Sequence, residues 1–186
     1  VTTAAVILAA GGGSRFVGET SKLLASFRAR PLIAWAVDAA LGAGLDETIV
    51  VSGSVDLSAV VPADVTVLDN EGWPSGLASS LRVGLDWCER RGHGAAVVGL
   101  GDQPLVPADA WRAVASSTGA PIAVATYAGR RRNPVRLARS VWPLVPVTGD
   151  QGARAVMASR PELVREVACP GDPADVDTVE DLRQWS

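Results

Sequence analysis

The sequence predicts an α/β fold in one domain spanning residues 1–186, a mostly parallel sheet with helices on both faces. Three observations carry that expectation. Short Val/Ile-rich runs alternate with amphipathic stretches along the chain. The runs are continuously apolar rather than alternating, the pattern of strands buried on both faces of a parallel sheet. At 186 residues, 48% of them apolar and 20% charged, the chain has the length and composition to bury a sizeable core.

In chain order, AAVILA (4–9), TIVVSG (48–53), VTVLDN (65–70), AAVVGLG (95–101) and PIAVATY (121–127) read as strands bounded by Gly, Pro or polar residues. Helices are expected over 31–44, 75–91 and 107–117. In the second, Leu77, Leu81, Leu85 and Cys88 recur at helical spacing and form one apolar face. Pro31 and Pro107 stand where a first-turn proline is tolerated. Beyond residue 127, YAGRRRNPVRL suggests a polar loop leading into a strand. A helix within 148–160, a strand over 163–169 and a closing helix in VEDLRQWS complete the reading. No linker, low-complexity segment or internal repeat interrupts it.

Composition excludes several functions. A net charge of −3 argues against a nucleic-acid binder held by bulk electrostatics. Cys88 and Cys169 share no metal-ligand spacing and form no disulfide framework, so both are read as structural. His93, the only histidine, falls in ERRGHG and is expected to be a solvated loop residue, leaving little material for Ser-His-Asp catalysis or a His-rich zinc site. AAVILAA is too short for a signal sequence and lacks a basic lead-in, and no stretch is long enough to span a membrane. A cytoplasmic protein without membrane partners is the expectation.

Chemistry concentrates in LAAGGGSRFVGETSK (8–22), a triple glycine after the first strand with Arg15 and Lys22 downstream. The dinucleotide fingerprint fails because Phe16 stands at its third small position, and the frame starting at Gly12 meets Ser14. The P-loop frame from Gly13 meets Glu19 where Lys belongs. What remains is a glycine loop at the carboxyl edge of a sheet, where successive N–H groups can form an anion nest; a flexible turn with solvated cations also fits. Asp102, in GDQP after the fourth strand, is placed to offer a carboxylate to magnesium over the same edge, or else to form a turn. Asp175 and Asp177, at i and i+2, face one way on an extended segment; alternatively Asp177 or Thr178 caps the last helix.

Taken in order, LAAGGGSRF with Lys22, Asn70 with SGLASSLRVGL, GDQP, GDQGAR (149–154) and DVDTVEDL resemble the MobA-like nucleotidyltransferases over essentially the whole chain, and within them the molybdenum-cofactor cytidylyltransferase branch. The resemblance implies a Rossmann-like nucleotidyltransferase sandwich similar to the GT-A fold. It implies transfer of CMP from CTP to the terminal phosphate of molybdopterin, with Mg2+ as cofactor and release of pyrophosphate. By similarity, Leu8, Ala9, Ala10, Gly11, Gly12 and Gly13 hold the nucleotide, with Gly76, Ser79 and Ser80 beside base and ribose. Arg15 and Lys22 neutralise phosphates, and Asp102 binds the metal with Asp177 or Asp175. Arg132, Asn133 and Arg154 receive the acceptor. A transient contact with a molybdoenzyme or its chaperone is a further implication.

Ala10 leans toward CTP, because cytidylyl members of the family tend to read LAAG and guanylyl members LAGG. The chain departs from the family pattern in three places. The spacer Val17–Ser21 before Lys22 is about two residues longer than usual, Phe16 replaces a common Met, and Arg132-Asn133-Pro134 stands where many relatives have Gly-His-Pro. The last change puts the acceptor's identity in doubt more than the reaction. GTP as donor, another phosphorylated acceptor such as a sugar phosphate or phospholactate, and a non-catalytic nucleotide-binding relative are the alternatives.

Overall fold

The structure, a computed structural model, describes residues 1–13, 16 and 21–185. Strand β1 (Thr3–Leu8) is followed by a small hairpin, β2 (Ser26–Phe27) and β3 (Arg30–Pro31), and by helix α1 (Leu32–Gly42). Then come β4 (Glu47–Ser52), β5 (Thr66–Asp69), α2 (Leu77–Arg90), β6 (Ala95–Leu100) and α3 (Ala108–Ser116). The chain closes with β7 (Ile122–Tyr127), β8 (Arg130–Ala138), α4 (Ala153–Ser159), β9 (Val164–Ala168) and α5 (Val179–Trp185).

Seven strands form one sheet in the order β5-β4-β1-β6-β8-β7-β9. All neighbours are parallel except β8, which runs antiparallel to both β6 and β7. Alternation along β1 shows why both faces must be covered. Ala5 and Ile7 pack with Val37 and Ala40 of α1 and Trp111 of α3, while Ala4, Val6 and Leu8 pack with Leu81 and Leu85 of α2 and Met157 of α4. The α/β architecture and its mostly parallel sheet are those expected from the sequence. Among the described residues no helix is long and apolar enough to cross a membrane.

Two expectations fail. The segment after residue 127 is a hairpin rather than a loop: Tyr127 pairs with Arg130 across Ala128 and Gly129, whose φ values of 48° and 75° match a two-residue turn of the type that suits strand twist. Ala-Gly in place of Asn-Gly hides the turn. The exposed arginines 130–132 then mask the strand, because this end of β8 projects beyond the core. Within it, pairing jumps from Val124–Val135 to Ala125–Arg132, leaving Asn133 and Pro134 in a bulge, where a strand tolerates proline.

His93 is not solvated: only 5% of it is exposed. Its Nδ1 lies 3.1 Å from the Thr2 hydroxyl and its Nε2 2.8 Å from Glu47 Oε2, beneath the amino end of the sheet. Trp87 Nε1 and the Thr66 hydroxyl donate to Glu47 Oε1 at 2.9 and 3.0 Å. A carboxylate largely withdrawn from water needs such partners, and the histidine supplies one. Burial disfavours the charged Glu47, but these hydrogen bonds and the Arg91 guanidinium outweigh it and hold the pKa at about 2.

A depressed carboxylate pKa stabilises the fold above the ordinary value and loses that contribution as pH falls toward the folded value. Glu47→Gln should therefore be less stable than wild type at neutral pH, by about 1–3 kcal/mol, the cost of losing hydrogen bonds to a charged group. The difference from wild type should shrink between pH 4.5 and about 2 in urea denaturation series. A difference independent of pH would contradict this assignment.

Candidate active site

The three consecutive glycines after β1 have three different surroundings. A Cβ at Gly12 would lie 2.9 Å from the Trp73 indole, so packing excludes one there. Gly13 has φ +57°, a left-handed conformation that glycine adopts without strain, and its vacant Cβ position lies 3.3 Å from Lys22 Cβ. A Cβ at Gly11 would meet nothing within 4 Å. Gly11 is thus the member of the triplet that the protein's own packing does not require, and it lines an open cleft.

That cleft, about 280 Å³, is bounded by Leu8, Ala9, Ala10, Gly11, Gly13, Lys22, Gly76, Ser80, Asp102 and Asp150, among others. It gathers most of the nucleotide-side residues singled out in the sequence. Gly12 and Ser79 are not among its lining residues: Gly12 faces Trp73, and the Ser79 hydroxyl donates to the carbonyls of Gly72 and Gly76. Asn70, 5% exposed, donates through Nδ2 to both Ser79 and Ser80 hydroxyls at 3.0 Å and accepts from Gly72 N–H. These polar residues fasten the turn before α2 to its first turn. Arg15 lies outside the described residues.

Lys22 Nζ sits 2.6 Å from Asp102 Oδ2 and 3.4 Å from Asp177 Oδ1, its side chain only 12% exposed. Three distant parts of the chain meet there because the C-terminal segment is stitched to GDQP. Val176 N–H donates to the Asp102 carbonyl at 2.9 Å, and its side chain is buried with Phe27 and Leu32. Gln103, 3% exposed, donates through Nε2 to the Pro173 carbonyl and to Asp175 Oδ1 at 2.9 and 2.7 Å. Loss of solvent around the Asp175 carboxyl raises its pKa, and the nearby Asp102 charge raises it further. Thr178 and Asp181 cap α5 reciprocally, so capping falls to Thr178 while Asp177 faces Lys22.

Asp102 and Asp177 together offer hard oxygen donors of the kind magnesium and manganese take in pairs beside phosphates. Among the described residues no group of three or more His, Cys, Asp or Glu side chains forms a ready cage; Lys22 stands between two carboxylates and Gln103 engages the third.

A second cleft of about 320 Å³ adjoins the first and shares Leu8, Leu77, Leu100 and Asp150 with it. Its floor is apolar, with Leu81, Val98, Val124, Val135 and Met157, and its rim carries Arg131, Arg132, Asn133 and Arg154. The three acceptor-side residues singled out in the sequence are thus brought together, Asn133 by the bulge in β8. Leu77, expected on the buried face of α2, is instead 37% exposed, because α2 begins at the edge where the clefts join. The loop between the clefts is pinned to that helix start: Gly149 accepts from Ala78 N–H at 2.8 Å, and Asp150 Oδ1 lies 3.4 Å from Leu77 N. Trp73, Gln103 and Asp150 were not picked out as site residues in the sequence, although Gln103 lies in GDQP and Asp150 in GDQGAR, two of the motifs that carry the family resemblance.

Residues 5–165 match the family model of the MobA-like NTP transferase domain. The chain belongs to the MobA-like NTP transferase family. The family match stops short of Asp175 and Asp177. Among relatives of this MobA-like domain, nicotine blue oxidoreductase of Paenarthrobacter nicotinovorans is 31% identical over 95% of this chain and 93% of that one. Molybdenum cofactor guanylyltransferase of Cereibacter sphaeroides is 34% identical over 79% of this chain and 72% of that one. The crystal structure of Rv0371c from Mycobacterium tuberculosis H37Rv is 31% identical, with a TM-score of 0.87 over 100% of this chain and 97% of that one. A structure of Rv0371c in complex with manganese is 30% identical, with a TM-score of 0.81 over 100% and 98%.

Replacing Gln103 by Leu keeps the bulk but removes both hydrogen bonds that hold 173–175. The variant should lose about 1–3 kcal/mol, and the Val176 amide should exchange faster with solvent than in wild type. An unchanged Val176 exchange rate would show that Gln103 does not anchor this segment.

Proposed function

We propose that the protein is a divalent-metal-dependent nucleotidyltransferase that moves CMP from CTP to the terminal phosphate of a molybdopterin-type acceptor. The observation that carries this reading is the pair of joined clefts. One has a bare glycine backbone, Lys22 and Asp102, with Asp177 beside Lys22 but outside the lining, and the other has an apolar floor beneath an arginine rim. An acceptor with a flat ring system that can lie against apolar side chains, and an anionic group for the arginine rim, suits the second cleft better than a polyhydroxylated sugar phosphate does. Ala10 lines the first cleft, in keeping with the LAAG preference for cytidine.

In this reading an acceptor phosphate oxygen forms a bond to the α-phosphorus while the bond from that phosphorus to the β-phosphate oxygen breaks, and pyrophosphate leaves. The attacking phosphate is already an anion, so no strong general base is needed, and the rate comes from alignment and charge neutralisation. Gly11 lets backbone N–H groups approach the phosphates. Lys22 exchanges its carboxylate partners for the β- and γ-phosphate oxygens and stabilises the departing pyrophosphate. Asp102 and Asp177 would hold a magnesium ion, which supplies electrostatic neutralisation of the phosphate oxygens. The manganese complex of Rv0371c supports a divalent ion in this family setting. Arg132, Asn133 and Arg154 orient the acceptor, with Arg15 a further phosphate ligand.

A second reading is favoured by the relative named nicotine blue oxidoreductase, similar over nearly the whole chain. There the apolar cleft would hold a planar aromatic substrate beside a nicotinamide nucleotide in the first cleft. The failed dinucleotide fingerprint at Phe16 counts against it.

Pyrophosphate release measured with four nucleoside triphosphates, magnesium and a panel of phosphorylated acceptors distinguishes these readings. CTP with a molybdopterin-type acceptor should give the fastest release, and Asp102→Asn should lower kcat by about a hundredfold or more. No release with any pair, together with acceptor-dependent NADPH oxidation, would replace the first reading by the second.

A further inference from the structure

Trp73 opens a single 3-10 turn, Trp73–Ser75, between β5 and α2, and its ring is only partly buried. The indole bridges two loops that follow different strands. Its six-membered edge lies where a Cβ at Gly12 would be, 2.9 Å from Cη2. Its five-membered edge lies where a Cβ at Gly53 would be, 2.8 Å from Cδ1, a position that is also 2.8 Å from Ala10 Cβ. Both positions are glycine, so the ring meets backbone on both sides. The opposite side of the glycine loop rests on Lys22, whose Cβ is 3.3 Å from the vacant Cβ position of Gly13. Ser54, next to Gly53, adds two ties: its N–H donates to the Ala10 carbonyl at 3.2 Å and its hydroxyl to the Gly11 carbonyl at 3.0 Å. The turn carrying Trp73 is itself held by Asn70, whose carbonyl accepts from Trp73 N–H and whose side chain grips Gly72 and α2.

We propose that Trp73 is a positioning residue for the donor nucleotide: its indole wedges the glycine loop against Lys22 and sets the width of the first cleft. The inference rests on the donor reading given above. It also explains why Gly12 is glycine although Gly12 does not line the cleft. The residue acts through the loop, since Trp73 is absent from the lining of that cleft as well. A loop held in place before binding spares the nucleotide the cost of ordering it.

CTP binding in the presence of magnesium, measured by calorimetry on the full chain, tests the wedge. Trp73→Ala should raise the Kd by about tenfold, while Trp73→Phe, whose shorter ring keeps the Gly53 side but does not reach Gly12, should recover only part of the affinity. Gly12→Ala should weaken CTP similarly in wild type, yet add little in the Trp73→Ala background, because the ring it collides with is gone. Should Trp73→Ala fail to fold, Trp73→Leu, which keeps apolar bulk but cannot span the gap between Gly12 and Gly53, should reproduce the loss. Equal CTP affinity of wild type and Trp73→Ala, or fully additive losses in the double variant, would overturn the wedge and leave the donor reading standing. Wild-type protein that binds no nucleoside triphosphate would overturn both.

Discussion

The site depends on one ammonium group held between two carboxylates. Lys22 comes from the far end of the glycine loop, Asp102 from the end of β6 and Asp177 from the C-terminal segment; Lys22 is 80 residues from Asp102 and 155 from Asp177 in the chain. With the side chains of Lys22, Asp102 and Asp177 12%, 21% and 30% exposed, the charges are shielded enough from water to attract strongly. Asp175 stands nearby, and its pKa rises from burial and from the Asp102 charge. Lys22 neutralises charge in this arrangement, and in the proposed reaction a hard divalent ion would suit the same oxygens once phosphates engage the lysine.

Much of this architecture was readable from residue order. Five strands and three helices followed from apolar runs and helical periodicity, because tertiary packing on a sheet covered on both faces leaves a strong hydrophobic signature. Asp102 and the glycine loop were placed by the rule that ligands collect at the carboxyl edge of such a sheet. The hairpin β7–β8 was hidden because Ala128 takes a positive φ without the usual Asn signal, and because arginines on a projecting strand carry no alternation. His93 misled in the opposite sense. Local sequence showed a polar loop, but burial was decided by Glu47, forty-six residues away, which needs a partner in a closed space.

Side-chain partnerships across long separations were the least readable layer. Nothing in WPSG announces that Trp73 fills the space left by Gly12 and Gly53, and nothing in GDQP announces that Gln103 retains the C-terminal carboxylates. Ser79, adjacent to Ser80 and of the same type, is spent on the turn while Ser80 reaches the cleft, a difference set by helical phase. A shared motif thus names the neighbourhood of a site, and packing decides which of its residues face a ligand.

The account stands or falls on where a triphosphate lies relative to Lys22. A crystal structure with a non-hydrolysable CTP analogue and magnesium measures this directly. The phosphates should lie along Gly11 with the metal on Asp102 and Asp177, and Lys22 Nζ should have left its position 2.6 Å from Asp102 Oδ2 for a phosphate oxygen. A nucleotide bound away from the glycine loop, or bound there with the Lys22–Asp102 pair intact and no metal on Asp102, would contradict the account.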